Sequence, residues 1–392
     1  MELILHIGHE KTGTTSIQES LVQNTNYLQS LNIHIPTEFG IGNARSIPAT
    51  FSSFIDVYFE RRGITEGDLK IVQKKFKKDF DVYFKNLPED TKLILSSEHL
   101  ASRLTSTESV SELADFLNKY FEKITVIIFL RDQAGLAQSS YWELLKSGSQ
   151  ESILYEPTKE ILYDPYFNYQ LLLENWLSGF QKKQIQIYNY NYISSNYPSL
   201  TDFFYSVISN IFDIKIDFSL IIKNREANQS PDSFYLEILR LINQRIISEN
   251  PASVIKPYLD GNSLREISID AIRNIAGNKS KIKVNQEAWQ LAFQSSNNWV
   301  EENFAIFGNG FTKFDKLFKP ETSDSQKSNG SELNFAYEKF IDFIFSFYSA
   351  SKTELDQTKT ELDQIINSRI WRVTKIWRDL NLIELFRGKS KR

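Results

Sequence analysis

No cysteine occurs in the 392 residues, which removes disulfides and thiolate metal sites from consideration and fits a reducing compartment. A basic excess is also missing: 45 Lys and Arg face 49 Asp and Glu, a net charge of −4, so no nucleic-acid partner is expected. Long apolar runs are absent as well. The longest, ITVIIFL at 124–130, has seven residues, far short of the ~20 needed to span a bilayer. The opening MELILHIG has neither a basic n-region nor a small-residue cleavage site, so no signal peptide is expected. These absences point to a soluble cytoplasmic protein, at most peripheral at the inner membrane face. What is present is a globular composition, 41% hydrophobic and 24% charged, with 14% aromatic residues that argue for a packed interior and against disorder. The length suits one large domain or two smaller ones.

ELILHIG reads as a short buried strand, and TTSIQESLVQNTNYLQSL follows with helical spacing at Ile17, Leu21, Leu28 and Leu31. DLKIVQKKFKKDFDVYFKNL repeats Leu69, Val72, Phe76, Phe80, Tyr83 and Leu87 on one helical face. Its lysines fall opposite, where a solvated surface accounts for them. Two further strands are predicted at KLILSSEHL (92–100) and KITVIIFLRD (123–132), separated by a helix with Thr107 or Ser109 as cap. Strand–helix–strand in this order predicts a parallel sheet with crossover helices, and ligands in such sheets sit beyond the carboxyl ends of the strands. Those ends are Gly8–Thr15, Ser96–His99 and Arg131–Asp132.

Later, QIQIYNYNYI (184–193) reads as a fourth strand and SLTDFFYSVISNIF as the helix after it, while Ser230 and Pro231 signal a helix start. The stretch from about 250 to 330 is polar and unassigned, with linker composition at 321–332. From 333 a helical tail is expected, carrying the repeated heptads KTELDQT and KTELDQI with Leu355 and Leu362 in equivalent positions. Its basic end places Trp371 and Trp377 among eight Lys and Arg residues, suited to an anionic membrane surface, to self-association, or to packing on its own domain.

The chemistry concentrates at ILHIGHEKTGTTSIQ. Gly8 and Gly13 have the G-x-x-x-x-G spacing of a phosphate loop, yet Thr14 stands where an ATPase carries lysine, and the nearest lysine is Lys11. Backbone amides of 9–15 followed by a helix N-terminus make an anion nest. Thr14, Thr15 and Ser16 add hydroxyls, and no apolar run ends in a clear magnesium-binding aspartate. An anion less charged than a triphosphate, transferred without metal, suits this set.

Here the chain resembles the sulfotransferase family, whose 5′-phosphosulfate loop has the form K-[ST]-G-T-[ST]. Lys11, Thr12, Gly13, Thr14 and Thr15 match it, and Arg131 with Ser139 eight residues later match the family's 3′-phosphate motif. Gln133 and Ala134 stand where members often carry proline after the aspartate. The segments NREANQSPDSF and SSNNWVEENFAIFG are similar to later parts of bacterial members, with less specificity. The resemblance implies an α/β fold, a three-layer P-loop-like parallel sheet flanked by helices over residues 1–320. It also implies 3′-phosphoadenylyl sulfate as sulfuryl donor, no metal, and in-line attack by an acceptor hydroxyl or amine. Lys11 and the loop amides would stabilise the leaving phosphate.

The acceptor needs a general base, and SSEHL offers Glu98 and His99 at a strand end. Side chains alternate along a strand, so one of the two is expected in the cleft, Glu98 by preference. His9 is expected to line the acceptor side. The tail's S-x-x-W-R-x-T at Ser368–Thr374 resembles ends found on bacterial surface-polysaccharide enzymes, which makes a polysaccharide sugar or lipid-linked precursor the preferred acceptor, with a small phenol or alcohol as the other choice. Two rival readings stand beside this: a P-loop kinase or ATPase, and a non-catalytic nucleotide-binding scaffold acting through its tail.

Overall fold

The computed structural model describes residues 1–222, several positions between 236 and 244, and residues 284–308. The predicted linker, the heptads, the basic tail and the Ser230–Pro231 helix start lie outside the described residues. Two compact units are present, and the first holds Met1–Leu144, Glu151–Pro231 and Lys281–Ser323. In the second, the Asn243 amide donates to the carbonyls of Leu145 and Ser149 at 2.8 Å each.

The chain runs β1 (Glu2–His6), α1 (Thr14–Gln23), α2 (Thr25–Ser30), β2 (Ile33–His34), α3 (Ser46–Phe51), α4 (Val57–Glu60), α5 (Leu69–Lys85), β3 (Lys92–Ser96) and α6 (Glu98–Arg103). It continues through α7 (Thr107–Leu117), β4 (Lys123–Leu130), α8 (Gln133–Lys146), α9 (Tyr169–Leu177), β5 (Ile185–Asn189), α10 (Tyr190–Asn196), α11 (Leu200–Phe212), α12 (Gln286–Asn303) and β6 (Ile306–Phe307). The strands form one six-stranded sheet in the order β2-β3-β1-β4-β5-β6, with every pair parallel. β1 sits inside, between β3 and β4, so the loop after it opens where the strand order reverses direction, the usual ligand crevice of such sheets.

Alternation along the strands divides the core. Leu3, Leu5, Leu93, Leu95, Val126 and Ile128 face one side, where α3, α5, α7 and α9 cover them. Ile4, Ile94, Ile127 and Phe129 face the other, beneath α1, α10 and α11. Both sides are sealed, which is why these strands read as continuous apolar runs. This is the α/β arrangement of a parallel sheet flanked by helices that the sequence predicts.

Several local expectations change. The single helix expected from Thr14 to Leu31 breaks at Asn24, whose amide donates to the carbonyls of Ser20 (2.8 Å) and Ile222 (3.1 Å), while the Thr25 hydroxyl takes that of Val22 (2.8 Å). Side chains that bond backbone groups compete with the helical ladder. The cap of α7 is Ser106, which accepts the Ser109 amide at 3.3 Å, not Thr107 or Ser109. β5 stops at Asn189 because that side chain caps α10 through the Tyr192 amide at 3.1 Å. In α5, Phe84 joins Leu69 and Phe80 in the core, and Val72, Phe76 and Tyr83 are half-buried, as is Leu87 just past its end. The polar region left unassigned holds α12, anchored by buried Trp289, Phe293 and Val300 and capped by Asn285.

Candidate active site

The loop from Ile7 to Gly13 reverses the chain sharply, with Gly8, Lys11 and Gly13 all in left-handed backbone at φ +56°, +65° and +76°. A Cβ on Gly8 would lie 2.7 Å from the Thr14 methyl and 2.9 Å from Cα of Glu98, so the loop and α6 touch only because glycine is there. One on Gly13 would meet Leu200 at 2.3 Å. Lys11 has no such excuse; a non-glycine residue in this region costs about 1–2 kcal/mol and is held by its surroundings. The Thr12 hydroxyl donates to the His9 carbonyl at 2.6 Å and pins the turn. No side chain caps α1, so the amides of Thr14, Thr15 and Ser16 at its start face an anion-binding position.

Arg131 and Ser139 meet as their spacing requires. Nη1 of Arg131 donates to Oγ of Ser139 at 2.6 Å and to the Lys11 carbonyl at 3.2 Å, joining the end of β4 and α8 to the loop. Its Nε is buried without a hydrogen-bond partner, a donor held in reserve. The guanidinium lies 5.5 Å from the Tyr190 ring centre. Behind it, Asp132 caps α8: its carboxylate accepts the Gly135 amide at 2.6 Å and Nδ2 of Asn191 at 2.7 Å. Both oxygens are therefore used by N–H donors, unlike those of a magnesium-binding aspartate. A Cβ on Gly135 would come within 2.9 Å of Nε of Arg131, so this glycine leaves room for the arginine.

Lys11 reaches Glu143 on α8, Nζ to Oε1 at 2.8 Å.

Glu98 and His99 lie in the first turn of α6, not on the strand, because Ser97 ends β3 in extended backbone and starts the helix. Alternation therefore does not separate them, and both side chains enter one cluster. Nε2 of Gln18, on α1, donates to Oε2 of Glu98 at 2.5 Å. The His99 ring lies between two carboxylates, Nε2 3.5 Å from Glu98 and Nδ1 3.7 Å from Glu10. Both distances are longer than hydrogen bonds. Glu10 also accepts from the Tyr166 hydroxyl at 3.4 Å. Nearby, buried Asp56 holds Arg45 at 2.7 Å and Arg103 at 3.0 Å.

Burial would raise the Glu10 carboxyl, but His99, Ser102 and Arg103 outweigh it and hold it down at about 2. A carboxylate depressed in the folded state contributes stability that is complete above its ordinary value of 4.5 and lost as pH falls toward 2. Urea unfolding of the wild type should thus lose on the order of 2–3 kcal/mol across that window that Glu10→Gln does not lose. Parallel pH profiles for the two proteins would show the cluster does not act on Glu10.

His9 departs from expectation. It is buried, its ring packs on Tyr166 and Tyr169 with centroids 4.8 and 5.6 Å away, and Nε2 lies 2.8 Å from the Tyr166 carbonyl. Burial lowers its pKa against the pull of the carbonyls of Glu10 and Tyr166. It packs against the loop with its ring buried, and so is not placed to line an open cleft.

Sequence reasoning missed Glu10, Gln18, Glu143, Tyr166, Gly135 and Asn191. Glu10 and Gln18 flank the loop motif and were open to notice as polar neighbours of it. The others gain meaning only from contacts across the fold.

No protein-family model and no curated protein matches the chain. Among solved structures it is similar to a sulfotransferase from Alicyclobacillus acidocaldarius, at 12% identity and a TM-score of 0.37, over 74% of this chain and 99% of that one. It is also similar to the sulfotransferase domain from the Synechococcus PCC 7002 olefin synthase, at 12% identity and a TM-score of 0.28, over 71% of this chain and 94% of that one. Likenesses this distant carry no weight for function, which has to come from the residues. No helix among the described residues is long and apolar enough to cross a membrane.

Proposed function

We propose that the chain is a sulfotransferase, moving a sulfuryl group from 3′-phosphoadenylyl sulfate to an acceptor hydroxyl or amine. The observation that carries this is the joining of Arg131, Ser139 and the Lys11 loop by two hydrogen bonds from one guanidinium nitrogen. Two cationic residues at a glycine loop, Lys11 within it and Arg131 hydrogen-bonded to it, suit a nucleotide with anionic groups at both ends of its ribose. The fit of the donor rests on three features of this chain. The start of α1 is uncapped, Nε of Arg131 is a buried donor without a partner, and Gly8 and Gly13 hold the left-handed backbone that shapes the loop, at φ +56° and +76°.

The loop amides and Lys11 would hold the phosphosulfate, and Arg131 and Ser139 the 3′-phosphate. The acceptor oxygen attacks sulfur as the bond from sulfur to the phosphate oxygen breaks. The acceptor proton goes to Glu98, and the departing charge settles on the phosphate facing Lys11. Glu98 suits the base role better than His99. Gln18 fixes its carboxylate through a 2.5 Å hydrogen bond, and the His99 ring stands beside it, Nε2 at 3.5 Å. His99 then orients Glu98.

A sugar of a surface polysaccharide, or its lipid-linked precursor, remains the preferred acceptor, on the strength of the tail resemblance alone. Association of the basic tail with a membrane surface or a second copy belongs to the same proposal, as does a cytoplasmic location. The kinase or ATPase reading has less support: no lysine follows Gly13, and Asp132 is occupied as a helix cap.

Transfer of labelled sulfate from the donor to a panel of sugars, phenols and amines tests the activity. Wild-type transfer that disappears in Lys11→Ala supports it; a protein that instead hydrolyses or transfers the terminal phosphate of ATP contradicts it. The ion pair of Lys11 gives a finer check. Because Glu143 occupies the lysine and is itself 45% exposed, Glu143→Gln should tighten adenosine 3′,5′-bisphosphate by about 2–5-fold in calorimetry. Weaker binding would mean that Glu143 positions the lysine instead of competing for it.

A further inference from the structure

The outer face of α5 concentrates positive charge. At about 100° per residue, Ile71, Lys74, Lys75, Lys78, Val82 and Lys85 fall within one arc of the helix, all of them exposed. Between α5 and the end of α7 runs a shallow groove of about 620 Å³, with Phe116 in its floor and Lys74, Lys75, Lys78 and Lys119 along it. Its carboxylates are already used. Glu112 pairs with Lys77, and Asp81 with Lys85 at 2.8 Å and with the Tyr120 hydroxyl. Among the described residues no carboxylate lies within 4.0 Å of Lys74, Lys75, Lys78 or Lys119. Lysines clustered this way repel one another, and on a chain of net charge −4 they are a local concentration and no part of a general basic surface.

We propose that this groove binds an acidic polysaccharide, a chain bearing sulfate or carboxylate groups. Charge complementarity requires an anion, and the length of the lysine stripe favours a polymer over a single ion. The chemistry of the lining separates the polyanions. Single-stranded nucleic acid is held by exposed aromatic platforms, whereas the ring here, Phe116, is only 8% exposed. Bidentate phosphate recognition uses arginine, and every cation in the groove is a lysine, a point charge suited to scattered monovalent groups. A membrane-surface helix presents large apolar and aromatic side chains beyond its charges. Here only Ile71 and Val82 stand out, 72% and 52% exposed, with no aromatic side chain among the exposed positions of the arc. The groove is independent of the sulfuryl-transfer reading and binds whether or not the loop is catalytic.

The test uses the full chain and four probes: heparin fragments, polygalacturonate, single-stranded oligothymidylate, and phosphatidylserine vesicles, each at physiological ionic strength. Lys74→Glu/Lys75→Glu/Lys78→Glu is compared with a control of equal charge change, Lys182→Glu/Lys183→Glu/Lys215→Glu, circular dichroism confirming that both fold. The control also holds the basic tail constant. The wild type and the control should bind at least one of the two polysaccharides, and the α5 variant about tenfold or more weakly. Equal loss in both variants would reduce the effect to net charge and overturn the assignment. So would unchanged binding in the α5 variant, or a preference of the wild type for oligothymidylate or vesicles that the α5 substitutions abolish.

Discussion

Glu98→Gln should lower kcat by about 10²–10⁴-fold, the range for loss of a positioned general base, and leave the affinity for adenosine 3′,5′-bisphosphate unchanged within about twofold. The substitution keeps the volume and an oxygen to accept from Gln18, and removes the carboxylate that would take the proton. The bisphosphate should stay bound because the proposed reading assigns its anionic groups to the loop amides, Lys11, Arg131 and Ser139, and not to Glu98. His99→Asn separates the two neighbours. If His99 only orients Glu98, its loss should cost less in kcat than the loss of Glu98. A His99 variant more damaged than the Glu98 variant would exchange their roles.

Lys11→Ala is the second large effect, about 10²–10³-fold in kcat, comparable to removing one preorganised donor from a developing oxyanion, or about 3–4 kcal/mol. It has a structural side as well. Lys11 sits at φ +65°, so alanine inherits the same backbone strain, and the loop conformation is not relieved by the change. Lys11→Gly should therefore lose as much kcat as alanine while melting at the same or a higher temperature. A glycine variant with near-normal kcat would show that the left-handed turn, and not the ammonium, serves the reaction.

How much of this was legible in the sequence follows from separation along the chain. Lys11 to Thr15 form one loop, and Arg131 and Ser139 lie eight residues apart across the start of one helix, so spacing alone brings them together. The central strands were legible because both faces are covered, leaving uninterrupted apolar runs. Glu98 and His99 were found but placed on a strand, since nothing in SSEHL marks where Ser97 turns the backbone into α6. Tyr166 reaches Glu10 across 156 residues, and no local pattern reports such a contact. Asn24 breaks a helix whose apolar spacing continues past it, because its amide bonds a carbonyl at Ile222. α12 buries Trp289, Phe293 and Val300 within a polar stretch, too few anchors for periodicity to rise above its surroundings.

Calorimetry with adenosine 3′,5′-bisphosphate and with ATP–magnesium tests the central claim most directly. The account predicts that the bisphosphate binds without metal, that Arg131→Ala weakens it by about tenfold or more through loss of a charged hydrogen-bond donor, and that ATP–magnesium does not displace it. Tight ATP–magnesium binding with none to the bisphosphate, or bisphosphate binding untouched by Arg131→Ala, would contradict it.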